Sequence, residues 1–517
     1  MARTRATGAG WWGLPALLGL AGLTLGAGLG RAGRLSYHEA IVAQGVREWA
    51  AAPGGGAGWL VPVLDGRPWL EKPPLAHWLV ALAGTVAGGV DEAVARVPSA
   101  LMAAGLAVAV GVLGARRFGR GVGCLAAAVQ LTTVWTVARG RLAEADIHLA
   151  ALLTAALVAF DAARSPDRPT SRRSALLCGL LLGATALAKG VAFGVVLAGA
   201  TMAVVLLWDR DRAAARRLAH PVVALTAALV ALAWPLLVLA RHPEALGLWV
   251  HHLADRVGGP SRSFASETWA EYLAAPLWQT LPWTPLALAG LARSARRATA
   301  TAGAGAGRFG PDRLLVAWAV VPALLVSLAS VRNAHYLLPA LPPWSVWAAL
   351  SLRRLGGRVD GRLGGGASRR AAVVLFGSLG VAVASGFVLL GPRLDRRGAE
   401  WAWYSRASRG LAPGEPLVLV YDDWDKAPYP TPFGPVPADL AVRLFYLDRT
   451  PAPRWHRDPT TLRAPAASFA AIARARDREA LARLGVLTPL DASPPLRPDR
   501  TYELLRITPR APAAPLP

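Results

Sequence analysis

Residues 219–240 read AHPVVALTAALVALAWPLLVLA, and no Asp, Glu, Lys or Arg interrupts them between Arg217 and Arg241. At about 1.5 Å of rise per residue, a helix of this length crosses the ~30 Å hydrocarbon core of a bilayer. Ten further predominantly apolar runs lie near 11–30, 97–115, 119–138, 146–162, 174–188, 190–208, 272–292, 312–330, 334–352 and 371–391. A twelfth, 75–90 (LAHWLVALAGTVAGGV), is short, rich in glycine and bracketed by Lys72 and Asp91, so its length admits either a span or a helix lying in the interface. The whole composition agrees: of 517 residues, 54% are hydrophobic and only 17% charged, which excludes an ordinary soluble protein. The sequence therefore predicts an all-α polytopic membrane protein of about 11 to 12 spans.

A net charge of +24 would point to nucleic acid in a soluble chain. Here the arginines sit in short clusters between apolar runs, where they carry topology instead, and no nucleic-acid partner is implied. With the N-terminus inside and 75–90 lying along the membrane, every second loop is cytoplasmic. Those loops then hold Arg116, Arg117 and Arg120; Arg164, Arg168, Arg172 and Arg173; Arg210, Arg212, Arg216 and Arg217; Arg293, Arg296 and Arg297; and Arg353, Arg354, Arg358, Arg369 and Arg370. A spanning 75–90 would turn all these clusters outward, so the juxtamembrane reading is preferred. The run 11–30 follows Arg3 and Arg5 but has no clear small-x-small cleavage site, and it reads as a retained first span.

This layout places 31–96, 139–145, the break at 189, 241–271 and 331–333 outside the cytoplasm. The tail from 392 follows them. It is Pro-rich and Arg-rich, with strand-like runs at 416–421 (PLVLVY), 441–446 (AVRLFY) and 501–507 (TYELLRI). The expected organisation is a transmembrane domain over 1–391, including a first outer loop 31–96 with juxtamembrane helices, and a small extracytoplasmic α/β domain over 392–517. Segments 298–311 and 355–368 read as low-complexity linkers. Cys124 and Cys178 fall inside apolar runs and read as small hydrophobes.

Ionisable residues beside a membrane exit are functional candidates by default. The first outer loop supplies Tyr37, His38 and Glu39, then Trp59, Trp69, Glu71 and Lys72, the last followed by Pro73 and Pro74. A lysine fixed by prolines is a good point-charge partner for phosphate. Arg47, Glu48 and Arg67 read instead as the solvated side of a surface helix. His251, His252 and Glu267 have a spacing that admits a divalent ion, although adjacent histidines do not share one helical face. Asp146 reads either as a reactive acid or as an acid favouring the start of its helix. Trp78, Trp234, Trp269 and Trp283, at the ends of runs, read as interface anchors.

The order of motifs resembles the GT-C transferases of the protein O-mannosyltransferase and lipid A aminoarabinose transferase type. It runs from Tyr37-His-Glu-Ala through Trp59-Leu-Val-Pro, Gly66-Arg-Pro-Trp-Leu-Glu-Lys-Pro-Pro-Leu and Ala95-Arg-Val-Pro-Ser-Ala-Leu. It continues through Arg141-Leu-Ala-Glu-Ala-Asp146, Ala188-Lys-Gly, Leu281-Pro-Trp-Thr and His335-Tyr-Leu-Leu-Pro339. The resemblance implies an inverting glycosyltransferase of GT-C type that moves a sugar from a polyprenyl-phosphate donor to a lipid, glycan or protein acceptor on the non-cytoplasmic face. It implies Glu39 and Asp146 at the reaction centre, with Lys72, Lys189, Arg256 and Arg332 on the donor phosphate. Tyr37, Trp59, Trp69, Glu71, His335 and Tyr336 would line the substrate groove. Where the family usually has an acidic pair, this chain has His38-Glu39, so His38 becomes a candidate base. No cofactor is required by these readings, although a divalent metal is compatible with them. The expected location is a cell membrane, the inner membrane of a bacterium, with active site and C-terminus outside the cytoplasm. Two other classes fit a polytopic chain: a lipid or sugar transporter, for which no inverted repeat is visible, and a non-catalytic GT-C relative.

Overall fold

The structure is a computed structural model. It describes residues 13–510 except 32, 52–58, 166–167, 258–265, 300–309, 365, 396–397, 423–435, 438, 449–452, 464–466 and 495–500. Arg3, Arg5 and most of the linker 298–311 lie outside the described residues, as do parts of the 392–517 tail. The chain divides into two units: Met1–Arg31, Trp59–Val61 and Leu70–Leu389 form the first, and Ala32–Gly58, Pro62–Trp69 and Leu390–Pro517 the second.

The first unit is helical, and it is a multi-pass membrane assembly by the length and composition of its helices. Among the described residues, six meet the requirements for a span on both counts: Gly13–Arg31, Glu92–Phe118, Ala145–Ala163, Thr170–Phe193, Pro221–Arg241 and Ala367–Leu394. A seventh is a bent pair, Arg120–Thr132 and Val134–Gly140, angled at 62° across Thr133. The remaining apolar runs are realised in pieces. Run 190–208 yields Val195–Asp209, 15 residues and so about 22 Å. Run 272–292 becomes Trp269–Gln279 and Thr284–Thr299, separated at the cis Leu281-Pro282 bond. Run 312–330 gives Pro311–Ser327, while 334–352 opens with a 3-10 turn, Ala334–Ala340, before Pro342–Leu363. Proline marks the interruptions at Pro282 and at Pro339, Pro342 and Pro343, since it removes a donor and crowds the preceding turn. Leu75–Ala87 is a 13-residue apolar helix ended by Gly88 in the left-handed region. Segment 355–368, read as a linker, continues as helix to Leu363 instead, and Ser368 then donates through N and Oγ to Asp360.

Small residues let these helices approach closely, the usual device where lipid removes the hydrophobic drive between them. A Cβ on Gly179 or Gly183 would lie 2.7 Å from the Val223 carbonyl oxygen or 2.6 Å from that of Ala227. Several arginines that carry the topology signal also close ion pairs. Arg117 Nε lies 2.8 and 2.9 Å from the two oxygens of buried Asp161, Arg297 grips Asp312, and Arg164 and Arg313 converge on Asp209.

The second unit holds helix Tyr37–Ala51, a two-residue hairpin pairing Val63–Leu64 with Arg67–Pro68, and a five-stranded sheet. The sheet order is Arg454–His456, Leu417–Val420, Phe469–Arg474, Tyr502–Thr508, Val486–Ala492, parallel across the first three strands and antiparallel thereafter. The expected strands at 416–421 and 501–507 are present. Residues 441–446 are not a strand: Leu440–Leu447 is a helix whose buried Leu440, Leu444 and Leu447 recur at helical spacing. Residues 32–58 and 62–69, assigned by sequence to the transmembrane domain, join this unit. Arg47 donates to the Phe445 carbonyl at 2.7 Å and pairs with Asp448 at 3.1 Å. Arg443 is fully buried among Tyr404, Tyr421 and Tyr502, 4.0 Å above the Tyr421 ring, and pairs with Glu400 at 3.4 Å.

Candidate active site

Thr133 interrupts the helix that begins at Arg120. The short helix after it is aimed by a bond from Val134 N to the Leu281 carbonyl, 3.0 Å, and carries Arg139 near its end. The chain then turns through Arg141 and reaches Glu144, the extended residue before helix Ala145–Ala163, so that Asp146 falls in the first turn. An acid there is favoured by the helix dipole, so the local reading of Asp146 holds and does not exhaust its contacts. Arg139 Nη2 lies 2.6 Å from Asp146 Oδ2 and also contacts Glu144 Oε2. Lys189 Nζ pairs with the other Asp146 oxygen.

Lys189 reaches Asp146 because its own helix is broken. It has φ −145° and ψ 22°, and Gly190 follows at φ +82°, a left-handed conformation that side-chain-bearing residues rarely adopt. Its ammonium sits 4.5 Å from the Tyr336 ring centre and 5.3 Å from that of Phe193. His335 packs edge-on against Tyr336, with ring centres 4.3 Å apart, and interacts electrostatically with Asp146, Lys189, Arg139 and Lys72. Two cations and two anions thus share one partly buried cluster, the Lys189 side chain 18% and the Asp146 side chain 12% exposed. The charges balance, so each tolerates burial only while its partners remain.

Beside it, Lys72 lies 3.9 Å from Glu71. His252, on helix Ala245–Val257, interacts with Glu71, Arg256, His251 and Lys72, and its burial lowers its proton affinity. The Arg256 carbonyl accepts from Ser330 N at 2.8 Å and Val331 N at 3.2 Å. Arg332 sits over the Trp269 ring at 4.7 Å and donates to the Ala329 carbonyl, while its own carbonyl accepts from Glu267 N at 2.7 Å.

The structure therefore gathers Asp146, Lys189, His335, Tyr336, Lys72, Glu71, His252 and Arg256 in the first unit. Arg332 and Glu267 are packed with Tyr272 and Trp269. His251 is exposed, with its ring centre 6.1 Å from that of His252. Among the described residues no group of three or more His, Cys, Asp or Glu could hold a metal ion. The candidate set His251, His252 and Glu267 is not assembled, because Glu267 lies beside Arg332 and Tyr272, and Glu71 is a carboxylate near His252.

Tyr37, His38 and Glu39 belong to the second unit. Glu39 is 1% exposed, and it closes a reciprocal cap: Ser36 N donates to Glu39 Oε2 at 2.8 Å and Glu39 N to Ser36 Oγ at 3.3 Å. The Tyr37 and His38 rings lie 3.9 Å apart between centres, tilted by 35°. Trp69 is buried in the same unit, whereas Trp59 is 44% exposed in the first. Arg139 and Glu144 were not singled out from the sequence. Their signal was present: two bases and two acids within residues 139–146, between apolar runs.

The family described as dolichyl-phosphate-mannose-protein mannosyltransferase matches residues 71–237. Undecaprenyl phosphate-alpha-4-amino-4-deoxy-L-arabinose arabinosyl transferase 1 of Sodalis glossinidius is 31% identical over 297 residues, 56% of this chain and 50% of that protein. The corresponding transferase of Shewanella sediminis is 28% identical over 56% of this chain and 51% of its own length. The chain thus spans about half the length of the curated relatives it matches. Among solved structures, ArnT from Cupriavidus metallidurans bound to undecaprenyl phosphate aligns with a TM-score of 0.72 at 19% identity, covering 95% of this chain and 97% of that one. An oligosaccharyltransferase of Archaeoglobus fulgidus aligns at 0.53 and 12% identity, covering 91% and 70%. Fold and motif order agree: the chain is similar in sequence to these transferases over about half its length and shares the fold of the ArnT structure.

Proposed function

We propose that this protein is an inverting glycosyltransferase that moves a sugar from a polyprenyl-phosphate donor to a lipid, glycan or protein acceptor on the non-cytoplasmic face of a bacterial inner membrane. The observation that carries the reading is the Asp146 carboxylate held between Lys189 and Arg139, with His335 in electrostatic reach of it and Lys72 in electrostatic reach of His335. In this reaction an acceptor oxygen attacks the anomeric carbon from the face opposite the phosphate. The bond from that carbon to the phosphate oxygen breaks, and polyprenyl phosphate leaves with the electron pair. Lys189, Lys72 and Arg256 neutralise the charge that grows on the leaving phosphate, in a site where fixed cations need no reorganisation. Asp146 steadies positive charge on the sugar or takes the acceptor's proton.

Glu39 and His38 are proposed as further acid and base, and Arg332 as a further phosphate ligand, on the motif resemblance alone. Tyr37, Trp59, Trp69, Glu71 and Tyr336 are assigned to the groove on the same ground. Residues 392–517 are taken as the extracytoplasmic domain. An undecaprenyl carrier is supported by the relatives' names and by the ArnT structure bound to undecaprenyl phosphate. The test supplies purified protein in nanodiscs with undecaprenyl phosphate-4-amino-4-deoxy-L-arabinose and lipid A, and follows release of undecaprenyl phosphate. Transfer that Asp146→Asn abolishes supports the reading, and transfer untouched by that change overturns the assignment.

A further inference from the structure

Tryptophans near the ends of membrane helices ordinarily turn their indole N–H groups toward headgroups. Three here are used differently. Trp78 Nε1 donates to the Trp59 carbonyl at 2.5 Å, Trp234 Nε1 to the Leu60 carbonyl at 2.7 Å, and Trp249 Nε1 to the Leu70 carbonyl at 2.7 Å. The accepting residues lie outside any helix or strand, so their carbonyls have no ladder of their own. Leu60 and Leu70 are both 2% exposed and pack with Val61, Trp234, Val238, Ala245 and Leu248. The Trp234 and Trp249 rings stand 5.6 Å apart.

Trp249 is the member of this set closest in sequence to charge. Its acceptor, Leu70, immediately precedes Glu71 and Lys72, and its own helix carries His252 and Arg256. One hydrogen bond therefore ties the segment bearing Lys72 to the helix bearing Arg256. We propose that Trp249 is a positioning residue for Lys72: its indole N–H holds the Leu70 carbonyl and fixes where the Lys72 ammonium meets an anionic phosphate. The inference rests on the phosphate-binding role proposed above for Lys72. Trp249 touches neither phosphate nor sugar in this account and acts only through the backbone of residue 70. Loss of one such bond is worth about 1 kcal/mol, or roughly five-fold in affinity.

The experiment is a double-mutant cycle on binding of undecaprenyl phosphate to the full chain in nanodiscs, with Trp249→Phe, Lys72→Met and the pair. Phenylalanine keeps the ring and removes the donor, and melting temperatures confirm that each variant folds. The expected result is roughly five-fold weaker binding for Trp249→Phe in the Lys72 background, and no further loss when Lys72 is already Met. Multiplying losses would mean that Trp249 does not act through Lys72 and would overturn the proposal. Unchanged binding by Trp249→Phe, with Lys72→Met impaired, also overturns it and leaves the proposed function standing. Unchanged binding by Lys72→Met overturns both this inference and the phosphate role assigned to Lys72.

Discussion

The Lys189 ammonium and the Asp146 carboxylate form an ion pair that joins the break in helix Thr170–Phe193 to the first turn of Ala145–Ala163. Arg139 occupies the second oxygen of the same carboxylate. The pair is thus a structural joint and the core of the proposed site, and the two roles separate by mutation. Asp146→Asn takes the carboxylate from Lys189 and leaves Arg139 with Glu144, and it should cost stability by about 3 kcal/mol, the scale of breaking a buried pair. Adding Lys189→Met should recover part of the lost melting temperature while sugar transfer stays absent. A double variant that melts no higher than Asp146→Asn would deny that the pair stabilises the fold.

Arg139→Met tests the residue that the motifs did not single out. It removes one hydrogen-bonded cation from both Glu144 and Asp146, so transfer should fall by at least about ten-fold, the equivalent of ~1.4 kcal/mol. Arg139→Lys keeps the charge without the planar fork and should retain an intermediate rate. Equal rates for all three proteins would exclude Arg139 from the site.

Close helix packing makes a separate prediction. Gly183→Leu would place a Cβ 2.6 Å from the Ala227 carbonyl oxygen and 2.8 Å from Val230 Cβ, so backbone must move. Overpacking of this kind costs about 1–3 kcal/mol or more. The variant should melt lower in detergent, whereas Gly199→Leu, with no atom within 4 Å of its Cβ, should not.

The second unit carries a pH dependence. Burial, reinforced by the nearby Glu48 carboxylate, pushes Asp65 from its ordinary 3.8 up to about 7. The folded protein then holds this proton more tightly than the unfolded chain does. Its stability contribution is therefore lost as pH rises from about 4 to about 7. Melting temperatures between pH 5 and 8 should fall less steeply for Asp65→Asn than for the unchanged protein, and parallel curves would show that Asp65 ionises normally.

Hydropathy made the membrane class legible because a lipid-spanning helix must satisfy its backbone internally and offer apolar side chains throughout. It did not reveal the 62° bend at Thr133, since threonine interrupts neither apolarity nor periodicity. AVRLFY at 441–446 resembles a strand through its valine and aromatics, yet the neighbouring Leu440 and Leu447 complete a helical face. FAAIAR at 469–474 gave no strand signal, being rich in alanine, although all six residues are buried in the sheet. Lys189, Asp146, Lys72 and His335 were visible as charges or histidines at the ends of apolar runs. Arg139 and the break at Gly190 lie near Asp146 and Lys189 in sequence, but the meeting of Lys189 with Asp146 spans 43 residues and depends on how two helices pack. Glu39 was read only for chemistry, while Ser36-Tyr-His-Glu39 also spells the reciprocal cap that the structure contains.

The most direct test of the central claim is release of undecaprenyl phosphate from an undecaprenyl-phosphate-linked sugar by the purified protein in nanodiscs, measured beside Asp146→Asn/Lys189→Met. The account predicts acceptor-dependent release by the unchanged protein and none by a double variant that is folded. Release at the same rate by both would contradict the assignment of sugar transfer to the Asp146–Lys189 centre.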